Sequence, residues 1–159
     1  MDVSKAVDSR ISVREFLKDP VDNDLISELL EKSSRSASGG NLQPWKIYVI
    51  NNETMKSFHK FQSEWTEPET PAYSIYPESL KEPYKTSRFE VGVDMYSILD
   101  IGRDDKEGRF KQMLKNYEFF GAPAAFFCFT DRQMGRPQWS DLGMFLQTFM
   151  LLAREAGLD

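Results

Sequence analysis

Residues 33–50 read SSRSASGGNLQPWKIYVI, and this stretch decides the fold because a helix must end, a loop must turn and a strand must begin within it. The loop is rich in residues that tolerate unusual backbone angles and carry hydroxyl, amide or free N–H groups: Ser36, Ser38, Gly39, Gly40 and Asn41. Pro44 stops further helix, Trp45 anchors the chain, and residues 46–50 predict a buried strand. Such a loop suits a flat polar ligand, and an ordinary helix-to-strand connection is the alternative.

The composition limits the classes of function. With 159 residues and 40% hydrophobic residues, the chain predicts one domain over residues 1–159. A formal net charge of −5 argues against sequence-independent binding to nucleic acid. Cys128 is the single cysteine, which excludes an internal disulfide framework and a multi-cysteine metal site and agrees with a reducing cytosol. It lies in an apolar strand, where we expect an inert core thiol.

The amino-terminal sequence lacks the features of a secretory signal, and no apolar run approaches the roughly 18 residues of a membrane span. We therefore expect a soluble cytoplasmic protein that does not enter a membrane. The only histidine, His59, has no second histidine or cysteine with which to share a metal, so we assign no metal site.

The segment RISVR at residues 10–14 follows a short predicted helix over residues 2–9. In an extended backbone, Arg10, Ser12 and Arg14 point to one side, and Ile11 and Val13 anchor the other side in the core. Two guanidiniums and a hydroxyl suit a phosphate, because the planar fork of arginine gives bidentate bonds to phosphate oxygens. A solvated basic edge after a helix is the alternative.

Apolar spacing predicts further helices from about residues 20–22 to 33, and over residues 53–64, 88–99, 104–119 and 140–156. We expect Asp22 to open the first of these, and Asp104 or Asp105 to cap the helix that runs toward Phe119 with its apolar residues inward. Gly157 suits the left-handed position just after the last helix. Residues 124–130 read AAFFCFT and predict a central strand covered on both faces. The last helix is apolar nearly all round, so we expect it to be central or to form a dimer seam, with Gly143 and Gln147 at a close backbone approach. Prolines and aromatic residues over positions 65–86, including Pro71 and Tyr73, predict an ordered flap, and an extended arm packed on the surface is the alternative.

Several motifs together resemble the FMN-dependent nitroreductase family. RISVREF at residues 10–16 and SASGGNLQPW at residues 36–45 occur at that family's usual separation. The resemblance continues through Tyr76-Pro77, Asn116, FFGAP at residues 119–123 and WSDLGMFLQ at residues 139–147. It therefore covers essentially the whole chain.

The resemblance implies an α+β fold with a central sheet flanked by helices, and a homodimer that binds FMN at its interface. It places Arg10, Ile11, Ser12, Val13 and Arg14 at the FMN phosphate, with the two arginines and the serine as ligands. The loop that packs on the flavin from the second subunit corresponds to Ala37, Ser38, Gly39 and Asn41, with Gln43 nearby. Asn116 corresponds to the asparagine that bonds the polar edge of the flavin ring.

The sequence departs from the family pattern after Asp159. Family members continue with a segment near flavin N5, further sheet and basic residues at the phosphate, so we expect that the chain is truncated at this end.

By resemblance, the function is the ping-pong, two-electron reduction of nitroaromatics, quinones or similar flat acceptors, with NADH or NADPH as reductant. No side chain is a convincing acid, base or nucleophile, so we assign no catalytic residue. Two alternatives remain open. One is another FMN reaction, such as reductive dehalogenation or azoline oxidation, and the other is a non-catalytic flavin-binding or interaction module.

Overall fold

The computed structural model describes residues 2–68 and 74–159, which contain six α-helices and two β-strands within those ranges. In chain order these are α1 Val3–Ser9, α2 Asn23–Ser33, β1 Lys46–Asn51, α3 Asn52–Glu64, α4 Tyr84–Ile98, α5 Lys106–Leu114, β2 Ala124–Phe129 and α6 Arg136–Glu155. Two compact units can be distinguished, one made of the described residues before Gln62 with Phe120–Asp159, and the other of Gln62–Phe119. That residues 1–159 form a single domain stays a prediction.

The first unit holds the sheet, in which β1 and β2 pair antiparallel with Lys46 opposite Phe129. Alternate side chains of β2 face different helices, as a period of two requires. Phe126 meets Phe149 of α6 with ring centroids 4.7 Å apart, and Phe127 meets Phe58 of α3 at 5.2 Å. Helices therefore cover both faces of the sheet, which confirms the predicted α+β class.

Burial on the sheet is weaker than the apolar sequence predicts. The side chains of β2 are mostly half-buried, and on β1 Tyr48 is 61% exposed. The prediction of a buried strand over residues 46–50 is therefore wrong for the isolated chain. The composition of a strand indicates that its side chains pack against another surface. It does not indicate whether that surface belongs to the same chain.

Side-chain caps fix several helix ends where the sequence placed them. Asp22 accepts a hydrogen bond from the N–H of Asp24 at the start of α2, and Asp105 accepts one from Gly108 at the start of α5, both at 2.8 Å. Each such cap satisfies a backbone donor that has no partner inside the helix. Gly157 lies at φ +81° just after α6, the left-handed position predicted for it.

Helix α6 packs against α2 and α1 and carries the most buried large side chain, Phe145, which is 1% exposed. It begins at Arg136, four residues before the predicted start, because Pro137 is tolerated in a first turn and the Gln138 side chain accepts the N–H of Gly135 at 3.1 Å. The helix is not buried all round, since Met144 and Met150 remain about two-fifths exposed at 42% and 41%.

The second unit differs more from the prediction. Helix α4 begins at Tyr84, four residues before the expected position, and α5 ends at Leu114, five residues before the predicted end. The apolar residues expected to face inward on α5 are exposed, with Phe110 at 56% and Met113 at 48%, whereas Gln112 is buried. Within the predicted flap, Pro71 and Tyr73 lie outside the described residues. None of the described helices is both long and apolar enough to cross a membrane.

Candidate functional site

The loop between α2 and β1 is held in an unusual backbone conformation. Gly40, Asn41 and Gln43 all have positive φ, at 59°, 56° and 47°, and the last two carry side chains that rarely adopt such angles. The Ser38 hydroxyl accepts the N–H of Gln43 at 3.1 Å, and the Ser38 carbonyl accepts that of Asn41 at 3.1 Å. Backbone of this kind persists only where its surroundings hold it, and it occurs often at ligand sites.

An open groove of about 440 Å³ runs beside this loop. Its walls combine hydroxyl, amide and guanidinium groups with one alanine: Ser34, Arg35, Ser36, Ala37, Ser38, Asn41 and Gln43. The hydroxyls of Ser34 and Ser36 already donate to main-chain carbonyls at 2.6 and 2.7 Å. Donors that remain for a ligand are therefore the Arg35 guanidinium, the Ser38 hydroxyl and the two side-chain amides.

One face of α6 holds this loop. Asp141 accepts the N–H of Gly39 at 3.3 Å, Phe145 stacks on Trp45 with ring centroids 5.0 Å apart, and the Thr148 hydroxyl lies 2.9 Å from the Ser36 hydroxyl. The three helix residues follow one another at spacings of four and three, which places them on the same side of the helix. The predicted anchoring of the loop by Trp45 is confirmed.

The arginine segment is irregular rather than a strand. Arg10 ends α1 with extended backbone angles, and the Arg14 guanidinium donates to the Ser12 carbonyl at 3.2 Å. Ile11 is 67% exposed, so the expectation that it anchors this segment in the core is wrong, while Val13 is half-buried. An alternation of polar and apolar residues predicts which way a side chain points, but not whether it is buried. In the described part of the chain, no neighbouring element covers Ile11.

A backbone contact fixes the end of that segment. The N–H of Phe16 donates to the carbonyl of Phe120 at 3.2 Å, and Phe120 itself lies at φ 52°. Neither Arg10 nor Arg14 forms an ion pair with another residue that the structure describes. Both guanidiniums thus remain available to a bound anion.

The predicted site residues fall into three groups. Ala37, Ser38, Asn41 and Gln43 line one groove, and Gly39 lies in the same turn. Residues 10–14 form the second group. Asn116 belongs to the second unit, where it is exposed after α5 and donates from its amide nitrogen to the Met113 carbonyl at 2.8 Å. The role of every one of these residues stays a prediction.

Two kinds of residue at this site were not predicted from the sequence: some that line the groove and some that hold the loop. Ser34 and Arg35 line the groove without having been assigned to it, and Asp141 and Thr148 hold the loop from α6. The signal for the α6 pair was present, since polar residues at 141 and 148 flank Phe145 on one side of a largely apolar helix.

Cys128 is half-buried on β2, and burial raises the pKa of its thiol above the ordinary value. A raised pKa leaves less thiolate at neutral pH and makes the sulfur a weaker nucleophile. This behaviour agrees with the expected inert role.

These groups fit a flavin mononucleotide in their chemistry. Two guanidiniums that form no ion pair with a described residue suit its phosphate, and the groove offers amide and hydroxyl donors without a carboxylate that would repel an anion. A Cβ added at Gly40 would meet nothing within 4 Å, so the turn is open to an approaching ring.

Comparisons with known proteins extend this description. The sequence model of the Nitroreductase family matches residues 7–159. The 4-nitrobenzoate reductase of Pseudomonas putida is 32% identical over 159 residues, which are 99% of this chain and 70% of that protein. The nitrobenzene nitroreductase of Ectopseudomonas oleovorans is 30% identical over 99% of this chain and 71% of that protein. The solved structure of the FMN and NADPH-dependent nitroreductase NfnB from Sphigopyxis sp. strain HMH is 42% identical, with a TM-score of 0.89 over 99% of this chain and 72% of that one.

Proposed function

This chain belongs to the nitroreductase family, and from that premise we propose that it is an FMN-dependent oxidoreductase that reduces nitroaromatic compounds with NADPH or NADH. The observation that carries the proposal is the loop of residues 36–43, in which a family motif coincides with a strained turn and a polar groove. The relatives named for 4-nitrobenzoate and nitrobenzene make nitroaromatic compounds the first acceptors to test, and quinones follow as flat acceptors of similar chemistry.

The residues of this chain would bind and orient the cofactor. The arginine segment holds the phosphate through the two guanidiniums and the serine hydroxyl. It consists of Arg10, Ile11, Ser12, Val13 and Arg14. Ala37, Ser38, Gly39, Asn41 and Gln43 of a second copy close over the ring, and Asn116 bonds its polar edge. When bound, FMN supplies a carrier that takes two electrons from the nucleotide and gives them to the acceptor.

The overall reaction balances without a protein acid or base. A nitro group, NAD(P)H and one proton give a nitroso group, NAD(P)⁺ and water, with solvent as the source of the proton. Because reductant and acceptor would use the same face of the cofactor in turn, we expect ping-pong kinetics. The groove walls exclude part of the bulk water and orient the flat acceptor, which is the contribution that binding residues make to such a reaction.

The purified protein tests this function directly. We expect it to be yellow with a flavin absorption spectrum, to bleach when NADPH or NADH is added without oxygen, and to recover its colour when 4-nitrobenzoate follows. A protein that binds no FMN after incubation with the free cofactor would contradict the proposal. A protein that binds FMN but does not bleach would instead indicate a non-catalytic flavin-binding module.

We further propose that two copies pair through the exposed face of α6. Gly143, Met144, Gln147 and Met150 lie at the spacing of one helix face and are exposed, and a Cβ added at Gly143 meets nothing within 4 Å. Exposed methionines beside a small residue on an otherwise packed helix suit a self-complementary contact. The single cysteine supports a reducing location, and we propose that the dimer is cytoplasmic.

Light scattering coupled to gel filtration tests the dimer. The unmodified chain is expected at twice its mass of 18.4 kDa, and Met144→Glu with Met150→Glu is expected to shift it to the monomer, because two buried like charges oppose the contact. Exposed Phe61 lies on α3 rather than α6, so Phe61→Glu serves as the control and should leave the dimer intact. A monomeric unmodified protein would contradict this part of the proposal.

A further inference from the structure

We propose that Asp141 is a positioning residue, whose buried carboxylate holds the N–H of Gly39 and so keeps the turn of residues 39–43 in its ligand-binding shape before FMN arrives. This inference rests on the proposed role of that loop in flavin binding. It concerns a residue of α6 that does not line the groove.

The carboxylate of Asp141 is buried and faces the loop. Asp141 is 5% exposed, and its Oδ2 atom lies 3.3 Å from the nitrogen of Gly39. Among the described residues it forms no ion pair. A buried carboxylate is costly unless N–H groups point at it, and the N–H of Gly39 is such a donor.

The backbone that Asp141 contacts has an unusual conformation. The turn begins at Gly39 and passes through positive φ at Gly40, Asn41 and Gln43. Two of these are not glycine, and an unsupported loop would relax them to commoner angles. The hydrogen bond to Asp141 fixes the amide at the entrance of the turn, directly before the first of these residues.

Asp141 contacts a different part of the loop from its neighbours on the same helix face. Phe145 holds Trp45 at one end of the loop, and Thr148 holds Ser36 at the other end. Asp141 contacts the middle. Loss of its carboxylate therefore frees the turn while both ends stay attached, which predicts a local loosening rather than unfolding.

The experiment compares Asp141→Ala and Asp141→Asn. The alanine removes the acceptor, whereas the asparagine keeps an oxygen that accepts the same N–H. We expect the alanine variant to bind FMN about tenfold more weakly in a fluorescence titration, the effect of losing one hydrogen bond to a charged group. The asparagine variant should recover most of that affinity. In the protein without FMN, amide hydrogen exchange of residues 39–43 should speed up in the alanine variant alone.

A matched control removes a buried polar side chain elsewhere. Asn51 is 7% exposed and donates to the Val21 carbonyl at 2.8 Å, far along β1 from the loop. Asn51→Ala should lower the melting temperature without changing FMN affinity or exchange in the loop. This control separates positioning of the turn from general loss of stability.

The outcomes decide the inference. Unchanged affinity and unchanged exchange in Asp141→Ala would overturn it. If that variant does not fold, Asp141→Val fills most of the lost volume without an acceptor and takes its place. If neither folds while Asp141→Asn does, the acid supports the whole fold and the inference is wrong. If the unmodified chain binds no FMN, the proposed function fails, and hydrogen exchange alone still decides whether Asp141 holds the turn.

Discussion

Replacing Arg10 and Arg14 together by glutamine is expected to reduce FMN affinity by two orders of magnitude or more. Each hydrogen bond between a charged donor and a charged acceptor contributes about 1.5–3 kcal/mol, and about 1.4 kcal/mol corresponds to tenfold in Kd. Neither guanidinium has an ion pair with another described residue, so their loss should leave the fold itself intact. Fluorescence titration gives the affinity, and circular dichroism checks the fold.

The double lysine variant distinguishes charge from geometry. Lysine keeps the positive charge but lacks the planar fork that bonds two phosphate oxygens at once, so Arg10→Lys with Arg14→Lys should fall between the unmodified protein and the glutamine variant. Arg132, an exposed arginine after β2, provides the control, and Arg132→Gln should bind FMN normally. Equal affinity in the glutamine variant and the unmodified protein would remove these residues from the phosphate site. Riboflavin, which has no phosphate, should bind all variants alike.

The elements that were predicted well are those set by local chemistry. Asp22 caps the helix that it was expected to open, Asp105 rather than Asp104 caps α5, and Gly157 takes the left-handed position that ends α6. Trp45 also anchors the loop as predicted, by stacking on Phe145. For the two caps and the glycine, the information lies within a few residues of the feature that it determines.

The errors share one physical cause. Periodicity shows which side chains lie on one face, but not whether another element covers that face. Ile11, Tyr48 and Phe110 all lie on apolar faces of the sequence, and all are more than half exposed in this chain. Gln112 is buried although its type favours the surface. Whether a partner covers such a face depends on assembly. The sequence of one chain shows only that the face is apolar.

The candidate site divides in the same way. The residues of the turn were predictable because glycine, asparagine and serine mark unusual backbone locally. The contact between Asp141 and Gly39 joins positions 102 residues apart, and no local pattern predicts which helix residue will meet that amide. What holds a loop in shape is therefore harder to predict than the loop itself.

Phe145→Ala is expected to lower the free energy of unfolding by about 3–5 kcal/mol, the usual cost of truncating a buried phenylalanine. The ring is 1% exposed and stacks on Trp45 at an interplanar angle of 24°. Its loss leaves a cavity between α6 and the start of β1, and it also releases the end of the loop that Trp45 holds. Urea denaturation followed by tryptophan fluorescence measures the stability.

The residue before Phe145 on α6 provides a control for this prediction. Met144 is 42% exposed, so Met144→Ala should cost the monomer well under about 1 kcal/mol. Phe145→Leu keeps most of the volume and should fall between the two. If Phe145→Ala destabilised no more than Met144→Ala, the ring would not be the centre of the packing between α6 and the loop. The positions proposed for FMN depend on that packing, because a loop released at Trp45 has no fixed end from which Asp141 can hold the turn.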